Sequence, residues 1–214
     1  MNAREDVDES TAVDWRELVA VVLLAVTAIV TAWTGFQASK WGGAMSISFS
    51  QASTARIEAT RLEGVANRKL TVQTSLFTQW LQAYQDGDQE LTEFLSARFP
   101  EPLASAFPDW LASRPLTNPD AAATPFDLPE YVIPELTEAR AADARADDKY
   151  DEALRDNQRG DNYTILTVAF ATVLFFGALS GRMRSPRAQW AFLVLGWLGF
   201  LTSVVLLVLF PKQL

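Results

Sequence analysis

The chain has 214 residues and a formal net charge of −8, from 26 acidic and 18 basic side chains. It contains no cysteine and no histidine, which excludes disulfides, thiol nucleophiles, Cys/His zinc sites, histidine-ligated haem and Ser-His-Asp triads together. The acidic balance argues against a phosphate-binding surface and hence against nucleic acid.

Three uncharged runs dominate what remains. Residues 18–39, 162–181 and 188–210 hold 22, 20 and 23 positions without Asp, Glu, Lys or Arg. A helix needs roughly 20 such residues to cross a hydrocarbon core of about 30 Å. Lipid offers no partner for backbone N–H and C=O groups, so each run must be helical. The expectation is an all-α membrane protein with three transmembrane helices.

In chain order, residues 1–14 are polar and acidic and are read as a disordered tail. The first span covers 15–40. Trp15 and Arg16 mark one interface, and Trp33 and Trp41 the other. Its acidic flank and its length distinguish it from a cleaved signal peptide, so a retained anchor is expected. Beyond Gly42-Gly43, read as a bend, Ala52, Ala55, Ala59, Leu62, Ala66, Leu70, Phe77, Leu81 and Tyr84 trace one stripe at helical spacing. The pattern predicts one long helix that continues span one out of the membrane. Asp86-Gly87-Asp88 should stop it. A short amphipathic helix is expected over 89–99, with Leu91, Phe94, Leu95 and Phe99 on one side.

Eight of the ten prolines fall in 100–134. Proline removes a backbone donor and disfavours helix in the residue before it. Loops and a brief helix near 103–111 are expected there, as the tip of the domain. Helix formers then return over 135–161, where Ala139, Ala142, Ala146, Tyr150, Ala153 and Leu154 recur three or four apart and charges fill the other face. Residues 41–160 thus read as an extramembrane domain in which spans one and two extend into an antiparallel helical hairpin with a proline-rich tip. Span two follows at 161–181, a short basic loop at 182–187 and span three at 188–210. Arg182, Arg184 and Arg187 in that loop predict a cytoplasmic side for it and for the N-terminus, with the hairpin extracytoplasmic.

Few constellations suggest chemistry. Asp86-Gly-Asp88-Gln-Glu90 begins like a calcium loop but has Leu91 and Ala97 where an EF-hand needs Gly and Glu. Asp143, Asp147, Asp148, Asp151, Glu152 and Asp156 form a carboxylate row, interleaved with Arg140, Arg145, Lys149 and Arg155 as a solvated ion-pair face would be. The triplet Asn162-Tyr-Thr164 fits the glycosylation pattern but sits at the membrane edge. Ala28, Ala32 and Gly35 in span one, and Gly196, Gly199 and Ser203 in span three, make small-residue faces for close helix contact. Trp33, Gln37 and Trp41 end span one, while Asn157, Asp161 and Tyr163 begin span two. These six share one membrane depth and are expected to form an interfacial polar contact, serving either a headgroup or partner, or simply as glue between spans.

The segments Trp33-Thr-Gly-Phe-Gln37-Ala-Ser-Lys-Trp41, the helix 56–66 and Asn157-Gln-Arg-Gly-Asp161-Asn-Tyr163 carry a further likeness. The chain resembles uncharacterised bacterial membrane proteins with one span, a long extramembrane helical segment and two closing spans. The resemblance implies a bacterial inner membrane and supplies no catalytic, cofactor-binding or metal-binding residues. No cofactor is expected. The function read here is non-enzymatic: a membrane-anchored helical scaffold or partner-binding protein, with the lipid bilayer, a second copy or another membrane protein as partner. The alternative is a small oligomeric channel or transport-accessory subunit.

Overall fold

The structure, a computed structural model, describes residues 15–213; the tail expected at 1–14 lies outside the described residues. Five α-helices account for nearly all of it: α1 (Trp15–Asp86), α2 (Gln89–Ser96), α3 (Leu103–Ala112), α4 (Pro134–Ser180) and α5 (Pro186–Leu209), with a short 3-10 turn at Pro125–Asp127. Among the described residues there is no strand. Helix α1 runs 72 residues and passes through Gly42-Gly43 without interruption. It ends where Gly87 takes a φ of +73°, a left-handed conformation open to glycine at little cost. The Asp88 carboxylate then accepts the Leu91 N–H at 3.0 Å and caps α2. Pro186 starts α5, where its missing N–H costs nothing.

The chain divides into two compact units. The first joins residues up to Phe49 with those from Tyr150 onward, and contains three helices long and apolar enough to cross a membrane. Its core is Leu23, Leu166, Phe170, Val173 and Phe200. The buried positions Ala20, Thr27, Thr34, Trp41 and Ser48 on α1 recur every seven residues, as do Leu193 with Phe200 and Gly196 with Ser203 on α5. Glycine permits the closest approaches: a Cβ on Gly177 would lie 2.9 Å from a Leu24 methyl, and one on Gly196 3.0 Å from a Leu23 methyl. The outward side chains are themselves apolar, with Ile29 72% and Ile165 67% exposed. An apolar outer surface of this kind suits a lipid surround. The protein is a multi-pass membrane protein by these features.

The second unit, Ser50–Lys149, is held by an aromatic cluster of Phe77, Trp80, Leu95, Phe99, Leu103, Phe107 and Trp110. The rings meet edge to face, Trp80 with Phe107 at 4.8 Å and Phe77 with Trp110 at 5.2 Å. The proline-rich segment closes on this cluster through Phe126, Leu128 and Tyr131. Buried Gln73 ties it further, donating to the Glu101 carbonyl at 2.9 Å and accepting the Tyr131 hydroxyl at 2.8 Å. Trp110 Nε1 donates to the Ala122 carbonyl at 3.0 Å.

The buried stripe of α1 in this unit differs from the expected one at its end. Positions 52, 59, 66, 73 and 80 are buried at seven-residue intervals, with Ala83 beyond them, whereas Tyr84 is 49% exposed. A stripe drawn at 3.6 residues per turn drifts, while a strict seven-residue seam holds one direction by supercoiling. On α4 the expected Ala153 is buried, but Tyr150 and Leu154 of the same stripe are exposed, and Asp156, expected on the solvated carboxylate face, is buried instead. Leu91 and Phe94 of α2 are also exposed, so only Leu95 and Phe99 of that side reach the core.

Candidate functional site

The densest set of buried polar side chains lies at one end of the three apolar helices. Gln37 is fully buried on α1. Its amide makes a two-bond clasp to the backbone of Gln213, donating to the carbonyl at 2.9 Å and accepting the N–H at 3.0 Å. Tyr163, fully buried on α4, donates its hydroxyl to the Pro211 carbonyl at 3.1 Å. Its ring meets Phe210 edge-on at 5.7 Å. The Lys212 ammonium turns back to the Val208 and Phe210 carbonyls at 3.0 and 3.1 Å, placing a cation where the α5 dipole is negative.

One turn deeper, the Thr167 hydroxyl sits 2.9 Å from the Thr34 hydroxyl and 2.9 Å from the Tyr163 carbonyl, so its single proton serves one of the two. Thr34 passes its own proton to the Thr31 carbonyl at 2.8 Å. Deeper still, the buried Thr27 hydroxyl has no partner.

The remaining members of the expected interfacial set go elsewhere. Trp41 is buried, its Nε1 without a hydrogen-bond partner, and the Arg159 guanidinium lies 4.6 Å from its ring centre. Arg159 also bonds the buried Asp156 at 2.9 Å. Gly160 packs against α1 at this level, where a Cβ would make ordinary contact with the Ala38 carbonyl and the Trp41 Cβ at 3.6 Å. Asn157 donates to Asp161 at 3.1 Å on the exposed side of α4. Trp33 faces outward, its ring 5.6 Å from that of Phe36. What Gln37 and Tyr163 share is therefore the short segment after α5, which the sequence reading did not include. Its signal was Pro211, which ends the apolar run and returns the last residues to the depth of Gln37.

In the second unit the charged side chains pair between helices. Arg56 bonds Asp143 and also Asp147, the latter at 2.7 Å, and Arg145 reaches Glu58 at 3.4 Å. Asp147 first, and then Asp143, raise the Arg56 guanidinium above its ordinary value. Lys69 pairs with Glu135, and its ammonium holds that carboxyl below the usual glutamate range. The second Glu135 oxygen is buried without a partner. Burial pushes the Tyr131 phenol up. Among the described residues, no group of three or more His, Cys, Asp or Glu is placed to hold a metal ion.

These arrangements fasten helices to one another and to the segment after α5. The chain matches no family model, no curated protein and no solved structure.

Proposed function

We propose that the protein is a membrane-anchored, non-enzymatic helical scaffold, multi-pass in a bacterial inner membrane, that presents an extramembrane helical hairpin to a partner. The observation that carries this reading is the use made of the charged side chains. Arg56 engages Asp143 and Asp147, Glu58 engages Arg145 and Lys69 engages Glu135. Position numbers rise along α1 as they fall along α4, which supports an antiparallel, coiled-coil-like pairing. Carboxylates held in inter-helix pairs are stiffening devices rather than acid–base groups.

The test is a set of single Asp→Asn changes at Asp143, Asp147, Asp148 and Asp151, none of them buried, in a strain where deletion of the gene gives a phenotype. Each variant is expected to stay abundant and to restore the phenotype. One change that abolishes rescue while the protein remains abundant and folded overturns the reading in favour of a reaction or metal centred there.

The second reading, a subunit of a small oligomeric channel or transport accessory, draws on the unpartnered Thr27 hydroxyl inside the bundle. Three uncharged spans enclose no water path alone, so it requires several copies. A mass of the detergent-solubilised protein that corresponds to a strict monomer removes it.

A further inference from the structure

Helix α1 carries a second seam, on the side away from its buried one. Positions 50, 57, 64, 71, 78 and 85 form one row at seven-residue spacing, and positions 53, 60, 67 and 74 another. Except for the half-buried Gly64, all of these positions are exposed. None is charged: the rows read Ser, Ile, Gly, Thr, Thr, Gln and Ser, Thr, Asn, Thr. A helix face left to water in a chain of net charge −8 ordinarily collects charge, as α4 does with Asp148 and Asp151. Along Thr71, Thr74 and Thr78 the face also forms a shallow groove of about 560 Å³.

We propose that this face of α1 is where a second copy of the chain docks, parallel and in register, as a membrane-confined homodimer. Two copies inserted the same way in one bilayer are related by a two-fold axis along its normal. Residues near that axis meet their own counterparts. A charge there would oppose itself, whereas an amide both donates and accepts and so complements its own copy; the Thr60, Thr71 and Thr78 hydroxyls already donate to the Arg56, Asn67 and Thr74 carbonyls and keep oxygen lone pairs to accept from a partner. The spacing fits the same partner, because a seven-residue repeat keeps a seam facing a second helix over many turns. The flanks fit as well. Glu63 and Arg68 border the face and lie five positions apart, the offset at which flanking side chains meet across a parallel pair. Arg56 and Arg61 stand at the same offset with like charge, and there Arg56 is already neutralised by Asp143 and Asp147.

Ten mostly small side chains fall short of the roughly 20–30 residues a side of a standard interface. The dimer therefore depends on confinement and common orientation in the bilayer, which raise the effective concentration of one copy near another. The test belongs in vesicles for that reason. With no native cysteine, single substitutions report without background. Thr71→Cys and Thr78→Cys, each in the full chain reconstituted in phosphatidylcholine/phosphatidylglycerol vesicles and mildly oxidised, are compared with Asp148→Cys. In-register positions bring Cβ atoms within the ~3.5–4.5 Å a disulfide needs, so at least about tenfold more covalent dimer than from Asp148→Cys is expected. Adding Thr74→Glu to Thr71→Cys sets two carboxylates against each other and should cut the yield several-fold, with helicity unchanged by circular dichroism. The proposal is overturned if Thr71→Cys and Thr78→Cys link no better than Asp148→Cys, or if Thr74→Glu leaves the yield as it was.

Discussion

Gln37 and Tyr163 show what a neutral polar side chain does at the edge of an apolar bundle. Each is fully buried, and each spends its hydrogen-bonding capacity on backbone beyond α5. Gln37→Leu removes both bonds of the clasp and leaves the Gln213 amide and carbonyl unmatched, a loss of about 1–3 kcal/mol. Tyr163→Phe removes one neutral bond and keeps the ring against Phe210, so its cost is about 1 kcal/mol. Thermal unfolding in mild detergent should rank the two in that order; equal melting temperatures would show that the clasp stabilises nothing. Glu135 gives the complementary case of a charged side chain. Its carboxyl is held below the ordinary glutamate range by Lys69, so the folded state binds its proton less readily than the unfolded state does. A depressed carboxyl contributes stability above the unfolded value, about 4.3, and that contribution is lost as pH falls through the lower folded value. The melting temperature of the native protein should therefore fall on acidification through that region. Glu135→Gln should be less stable near neutrality and show a shallower acid limb. An acid limb of unchanged slope in that variant would remove the pair from the account.

The helices were legible in the sequence to the degree that their periods were. Uncharged runs of 20 to 23 residues mark three helices because lipid permits nothing else. Gly87 and the proline cluster mark ends because each restricts the backbone where it stands. The seam along α1 was less legible, since 3.6- and 3.5-residue repeats diverge slowly: toward its end the expected stripe passed over Gln73 and Trp80, which are buried, and took in Tyr84, which is exposed while Ala83 is buried. The clasp at Gln213 was not legible, because it depends on where a short segment lands after a helix of 24 residues. Burial now sharpens the packing expectation for the alanine seam. Ala59 is buried and Ala55 only half so. Ala59→Leu should overpack its contact at about 1–3 kcal/mol, and Ala55→Leu should cost less because part of the larger side chain reaches solvent. Chemical denaturation in detergent would measure both, and a larger loss at Ala55 would place the seam elsewhere. Ala146, fully buried on α4, should behave like Ala59.

For the molecule as a whole, charge predicts which way the chain sits. Helices α4 and α5 are joined by a connection short enough for the charge rule to apply; it carries Arg182 and Arg184, with Arg187 in the first turn of α5, and no acid. Basic residues resist transfer across a membrane, against both desolvation and the potential, so this connection should remain in the cytoplasm. Two spans separate the N-terminus from this connection and one separates it from the C-terminus, so a cytoplasmic connection would put the N-terminus inside and residues 50–149 and the C-terminus outside. The long segment between spans one and two contributes little to this decision, since loops beyond about 60 residues cross largely regardless of charge. The three arginines are the lever. Reporter fusions at position 115 and position 184 should read outside and inside respectively, using one reporter active only in the cytoplasm and another only beyond the membrane. Replacing Arg182, Arg184 and Arg187 together with glutamine should weaken the bias and yield a mixed population. A cytoplasm-only reporter active at 115 and silent at 184 would invert the topology. Its consequence would reach the dimer face, since Thr71 and Thr78 would then meet their copies in a reducing compartment, where hydroxyl pairing could still form but an oxidative crosslink could not be trapped in intact cells.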